Sequence, residues 1–465
     1  MSRFPGAPFV HIAAAAAALL VTVPLAAAPS SAERRMIATV DAEQGRTLAM
    51  LERWVNQNSG SHNLAGVEAV GGMIRAELEP LGFAVRFIPL RETGRAGHLV
   101  AHHPGPRAGT GKRLLLIGHL DTVFEVDSPF QKWIRSGNAA NGPGASDDKG
   151  GDAVMVAALR AMQAAGTPKN ADITVFLTGD EEDSGSPIEI ARRDLVAAGK
   201  AADVAFDFEG LIRLPDASGA LVDMGSVSRR GAAAWTVTVA ARPGHSSSVF
   251  SSEAGYDAIY ELARIINAFR TQLSDDKLTY NVGLVGGGQD ATLDQGKIRL
   301  TAAGKTNIIA AAAVARGDLR ALIAAQFART VTKMKAIVTT SLAGATGNIS
   351  FDDDAYPPIA PTPGNRALLA RLNRVNADMG LAAMAELDPL KRGAGDISFV
   401  AADVDGLAGL GPASTGDHTP TETVDIPSIF RQAKRAALLM SRLAAEKTLI
   451  RHALAEPRST QPSLP

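Results

Sequence analysis

The chain has 465 residues, 46% of them hydrophobic and 20% charged, with a formal net charge of −1; it is long enough to bury large cores and predicts two domains. A near-neutral balance without a basic stripe or a charge block excludes a nucleic-acid surface and a charged tail. Cysteine is absent, which excludes disulfides, thiol catalysis and thiolate ligands, so any metal must sit on His, Asp and Glu, a donor set that suits zinc, manganese or cobalt.

Residues 1–28 read as an export signal. Arg3 precedes an alanine-rich apolar stretch, with small residues that allow cleavage after Ala28 or Ala32. Pro24 and the short apolar length argue against a membrane anchor, so the mature protein is expected to be periplasmic or secreted. Helical spacing follows at 47–56 and 67–81, with Gly82 as a stop, and strands at 83–87 and 98–101. His62, His102 and His103 lie in or beside these connections with nothing to pair with them, and read as structural. Residues 114–117 are four consecutive aliphatics, the pattern of a fully buried strand, and they lead into Gly118-His119-Leu120-Asp121. Residues two apart on a strand point the same way. His119 and Asp121 should therefore emerge together at the strand's C-terminal end, where open α/β sheets place ligand sites. A carboxylate beside an imidazole suits a metal ligand; a satisfied histidine in a strand-end turn fits that pair equally well.

The later segments shift that balance. Gly142-Pro143-Gly144-Ala145-Ser146-Asp147-Asp148-Lys149-Gly150-Gly151 is a glycine-rich loop opening a helix. Its adjacent aspartates would repel a phosphate and welcome a cation. The apolar strand 173–178 runs into Asp180-Glu181-Glu182-Asp183, and the alternating stretch 203–209 puts Asp207 and Glu209 on one face. Three apolar strands that each deliver ligand-type side chains at one edge are hard to explain by surface solvation.

With Gly416-Asp417-His418 further on, these motifs resemble the co-catalytic zinc peptidases related to glutamate carboxypeptidase. Acetylornithine deacetylase, succinyl-diaminopimelate desuccinylase, aminoacylase and carnosinase belong to the same superfamily. The resemblance covers nearly the whole mature chain and implies an α/β catalytic domain whose mostly parallel central sheet lies between helices, at 33–225 and 349–450. An α+β ferredoxin-like lid and dimerisation domain is inserted at 226–348, and 457–465 is expected to be a disordered tail. The lid's own pattern reads β-α-β-β-α-β. A strand at 234–239 is followed by a helix with Ile259, Leu262, Ile266 and Phe269 on one stripe. Strand-like stretches come at 280–285 and 298–305, then a helix through Leu319, Ile323, Phe327, Val331 and Met334, and a strand at 348–351. The catalytic domain then resumes with a helix at 367–379, a strand at 407–412 and a helix at 426–445.

The resemblance also assigns roles. One Zn2+ (Co2+ or Mn2+ possible) takes His119 and Glu209, a second takes Glu182 and His418, and Asp147 bridges them across a cis peptide to Asp148. Asp121 orients His119, Glu181 is the general base, and His245 of the lid stabilises the oxyanion. Asn307, Arg320, Arg392 and Gly393 contact substrate. Two departures stand out. Ala310 occupies a position usually held by proline, and Asp352-Asp353-Asp354 with Tyr356 replaces a basic residue of the glutamate-specific relatives, which argues against glutamate specificity. The expected reaction is hydrolysis of an amide bond next to a free carboxylate, on a small peptide in a metallo-carboxypeptidase or dipeptidase. An N-acyl amino acid deacylase would use the same machinery. A non-catalytic binding protein on a decayed peptidase scaffold should have lost a ligand or the base, and none is missing. No nucleic acid or membrane partner is expected, and the lid implies a homodimer.

Overall fold

The computed structural model describes residues 28–105 and 111–446; the expected signal up to residue 27 and the tail at 457–465 lie outside them. The aliphatic strand extends over Arg113–His119 and pairs in parallel with Asp172–Thr178 on one side and Val204–Asp207 on the other. With parallel neighbours on both sides and layers on both faces, it has no solvent side, which is why its apolar residues do not alternate. Leu114 to Ile117 are at most 1% exposed. Gly406–Leu407 continues the sheet in parallel, while Ala84–Pro89 and Gly97–His103 extend the other edge antiparallel. The result is a mixed, mostly parallel six-stranded sheet.

One face of the sheet carries helices Lys149–Ala165 and Ile426–Ala445 in the main core. The first of these is buried on every side from Lys149 to Met162. Ile117, Phe176, Leu195 and Val400 form the core of the opposite face. Because His119 is directly opposite Thr178, the ends of these parallel strands are level, and the loops that follow them converge. No helix among the described residues is long and apolar enough to cross a membrane.

The lid is a four-stranded antiparallel sheet in the order Thr279–Gly288, Ala312–Ala321, Gly231–Ala241, Ala345–Phe351, with helices Ala258–Gln272 and Ala324–Thr339 packed against it. Trp235, fully buried, meets Phe269 edge-on in its core. The order β-α-β-β-α-β holds, but two of its members differ from expectation. The third strand is Ala312–Ala321, so Leu319 and Arg320 lie on a strand and the second helix starts only at Ala324. Within the stretch 298–305, Leu300–Ala303 pairs with Asp290–Leu293 in a separate hairpin. Ile259 is 47% exposed, off the buried stripe of Leu262, Ile265 and Phe269. The two chain crossings between the domains are themselves paired, Arg229 with Ile359 and Ala232 with Tyr356.

Candidate metal centre and catalytic pocket

Five segments deliver polar side chains to the C-terminal edge of the parallel strands. His119 ends its strand, buried to 1% exposure, with Nδ1 3.3 Å from Asp121 Oδ1 and Nε2 3.0 Å from Asp147 Oδ1. The other Asp147 oxygen lies 3.0 Å from His418 Nε2, which is also 3.2 Å from Glu182 Oε2. Asp147 therefore stands between two imidazoles, as a bridging ligand must. The peptide bond from Asp147 to Asp148 is cis. Asp121 does more than face His119. It accepts the Ser61 hydroxyl at 2.6 Å and the backbone N–H groups of Glu181 and Glu182 at 3.0 and 3.1 Å. One buried carboxylate thus places a ligand histidine and the loop carrying the expected base.

Asp147, Glu181, Glu209 and His418 line a single cavity of about 260 Å³ together with Arg229, Arg392 and Gly393. A larger cavity of about 460 Å³ lies against Ile37, Leu48 and Phe430 and contains no His, Asp or Glu. Chemistry therefore selects the smaller one. Within it Glu209 is held by Arg229 Nη2 at 2.6 Å and Arg392 Nη2 at 3.3 Å. Arg229 also bonds Asp207 at 2.8 Å and the carbonyls of Gly393 and Ala394. Arg320 pairs with Asp318 at 2.7 Å, and its Nη1 lies 4.0 Å from where a Cβ on Gly393 would stand. Arg320 therefore stands near the substrate-side turn but is not among the residues that line the cavity. His245 and Asn307 sit together, the Ser246 N–H bonding the Asn307 carbonyl at 3.0 Å. Both are exposed on the lid and neither lines the cavity.

The electrostatics call for added positive charge. Burial, then Glu209, raises the Glu181 carboxyl well above the ordinary range. Burial and the neighbouring Asp147 raise Glu182 to about 7. Hydrogen bonds to Asp147 and Glu182 push His418 up to about 11. Burial would raise Asp147 too, but the hydrogen bonds from His119 and His418 outweigh it and hold the carboxyl well below its usual value. Behind the site, all four carboxylate oxygens of buried Asp148 and Asp152 have no hydrogen-bond partner among the described residues. A surplus of buried carboxylates around two imidazoles is the donor chemistry of a divalent-metal site. Spacing agrees: ligand atoms of His119, Asp147 and Glu182 all lie within 4.8 Å of one another. The cluster spans both halves of the expected ligand set, His119 on one side and Glu182 on the other, with Asp147 shared between them.

The sequence profile of peptidase family M20/M25/M40 matches residues 115–442. The chain belongs to this family. Carboxypeptidase G2 from Pseudomonas sp. (strain RS-16) is 31% identical over 280 residues, 58% of this chain and 61% of that protein. A succinyl-diaminopimelate desuccinylase from Rhodospirillum centenum is 33% identical over 186 residues, 37% of this chain and 45% of its own length. The chain thus spans less than two thirds of these curated relatives. Among solved structures, a tripeptidase from Staphylococcus aureus superposes with a TM-score of 0.67 at 18% identity, over 86% of this chain and 98% of that one. Human carnosine dipeptidase 1 does so with 0.59 at 14%, over 89% and 99%. Both share the fold. A further neighbour, from Bacillus subtilis, is a dinuclear metal-binding peptidase of the same family.

Several residues of this M20 site carry no mark in the sequence. Arg229 lies in a stretch that reads only as a domain boundary, yet it grips Glu209. Tyr356, read only as a replaced basic residue, donates its hydroxyl to the Glu181 carbonyl at 2.8 Å and receives Arg192 Nη2 at 3.2 Å. Asp396 takes the other side of Arg192 at 2.8 Å. The Ser-Arg-Arg-Gly run at 228–231 gives no signal of its own, because arginines are mostly solvated surface.

Gly395 packs directly against the Glu209–Arg229 pair. A Cβ there would stand 2.2 Å from Glu209 Oε1 and 2.3 Å from Arg229 Nη1, so Gly395→Ala must displace functional groups. We expect kcat/KM to fall about 100-fold, the scale of an ångström misplacement, with an unchanged circular dichroism spectrum. Wild-type kinetics in this variant would show that the Glu209–Arg229 geometry is not needed.

Proposed function

We propose that the protein is an exported dinuclear-zinc hydrolase that cleaves an amide bond next to a free carboxylate, in the manner of a metallo-carboxypeptidase or dipeptidase. The observation that carries this is the shared cavity. Asp147, Glu181, Glu209 and His418 line it together with Arg229, Arg392 and Gly393, while His119 and Glu182 back it through Asp147 and His418. His119 and Glu209 would hold one cation and Glu182 and His418 the other, with Asp147 between them. When bound, two such ions lower the pKa of a water and polarise a carbonyl.

The chain's own groups do the rest. Glu181 accepts the proton of the attacking water and delivers it to the leaving amine. Arg392 lines the cavity beside Gly393 and is the group that would take the substrate carboxylate, fixing the scissile amide relative to Glu181; Arg320 would join it only if the lid approached the cavity. His245 supplies a donor to the developing oxyanion. That step requires the lid to approach the cavity or a second subunit to provide it.

Export rests on the signal-like residues 1–28. Cleavage after Ala28 would leave intact the capping box in which Ser30 and Glu33 start the first helix; cleavage after Ala32 would remove it. The desuccinylase relative supports N-acyl amino acid deacylation as a second reading. The test is a hydrolysis screen of C-terminal-carboxylate dipeptides against N-acetyl amino acids with Zn2+ added. We expect turnover that is lost on chelation, returns with metal, and falls sharply when the substrate carboxylate is amidated. Indifference to chelation or to amidation would overturn the assignment.

A further inference from the structure

The loop carrying Asp147 is held by a carboxylate from another segment. Gly144 N–H donates to Glu422 Oε2 at 3.2 Å, and the N–H groups of Ser146 and Asp147 donate to Oε1 at 2.9 and 3.2 Å. The Ser146 hydroxyl approaches Oε1 at 3.4 Å. The grip is mutual, because the Glu422 carbonyl accepts Asn141 Nδ2 at 2.7 Å and Gly142 N–H at 3.3 Å. Glu422 is 1% exposed and lies four residues beyond His418. Its N–H bonds the Thr419 carbonyl at 2.9 Å, so it moves with the turn that presents His418. A second tie crosses the same gap: the Asp417 carboxylate accepts the hydroxyls of Ser146 at 2.7 Å and Ser414 at 2.9 Å.

We propose that Glu422 is a positioning residue that sets the spacing of Asp147 and His418 for metal, acting through backbone amides and not as a ligand. Every group facing its two oxygens is a donor. Only a carboxylate offers acceptors on both sides. Groups that orient ligands are typically worth about 10–100-fold in metal affinity. A clamp between two ligand loops acts on both loops at once. The inference rests on the dinuclear reading above.

The test is Glu422→Gln. It keeps the shape but turns an NH2 group toward Gly144 N–H or toward the Ser146 and Asp147 pair, whichever way the amide sits. Zinc affinity is measured by chelator competition on metal-stripped protein, beside the melting temperature of the metal-free form. We expect the wild type to bind two ions and the variant to bind them about 10–100-fold more weakly, the metal-free melting temperatures staying within a few degrees. A variant that melts lower but binds zinc as wild type does would make Glu422 merely structural and overturn the proposal. A wild type that binds no zinc would overturn the dinuclear reading itself. Should the variant not fold, amide hydrogen exchange in the metal-free wild type decides. The Ser146 and Asp147 amides should be strongly protected, and exchange at open-loop rates would sink the clamp.

Discussion

Glu181→Gln abolishes turnover and leaves metal binding intact: that is the largest effect the geometry predicts. Glu181 faces the cavity, while its neighbour Glu182 turns to His418. The two carboxylates therefore divide the work, one free to handle protons and one committed to the ligand set. The Asp121 carboxylate on the 181 and 182 N–H groups and the Tyr356 hydroxyl on the 181 carbonyl hold the backbone of that loop at three points. Removing the carboxylate's basicity should not move it. Glutamine keeps the volume and cannot accept the proton, so kcat should fall by about 100- to 10,000-fold, the usual worth of a positioned base. Metal content per chain, measured by elemental analysis, should match the wild type. A variant retaining a tenth of its activity, or one losing its metal, would remove Glu181 from the base role.

The catalytic half was legible in the sequence because burial leaves a pattern. A strand with parallel neighbours on both sides shows unbroken aliphatics, and residues 114–117 announce it. Ligand-type residues at the ends of three such strands then cannot be ordinary solvated surface. The lid was less legible. Ala312–Ala321 contains four alanines and no aromatic residue, and alanine favours helix. Its strand state comes from partners on both sides, Gly231–Ala241 and Thr279–Gly288, which local propensity cannot register. Glu422, Arg229 and Tyr356 were silent for a different reason. Each acts through hydrogen bonds to residues more than a hundred positions away or across a domain crossing. A single carboxylate in Thr-Pro-Thr-Glu looks the same whether it clamps a metal loop or faces water. Arg229 and Tyr356 share a further property, since both lie on the paired crossings that attach the lid. One touches Glu209 and the other the Glu181 loop, so the crossings and the candidate site are in direct contact.

The second large effect concerns His245. Within one chain it is exposed, with its Nδ1 2.9 Å from the Ser247 hydroxyl, and it is absent from the cavity wall. An oxyanion donor must reach the reacting carbonyl, so either the lid swings in or a second subunit brings its own His245. The lid surface favours the second route. Its edge strand Thr279–Gly288 pairs on one side only, with Val285 60% exposed, and Ile259 and Tyr260 on the neighbouring helix are 47% and 51% exposed. An apolar helix face beside an open strand edge is the surface a self-complementary pair would cover. His245→Ala should lower kcat by about 100- to 1,000-fold, the cost of losing one oxyanion donor. Mixing it with Glu181→Gln protein then separates the routes. In a mixed dimer one site has an intact Glu181 and receives an intact His245 from its partner, while the other site has neither. Random exchange of equal amounts makes half the dimers mixed, so action across the interface restores about a quarter of wild-type activity. If the lid instead closes on its own chain, every site lacks one of the two groups and nothing returns. Absence of recovery, with subunit exchange demonstrated by mass spectrometry of tagged chains, would assign His245 to its own subunit.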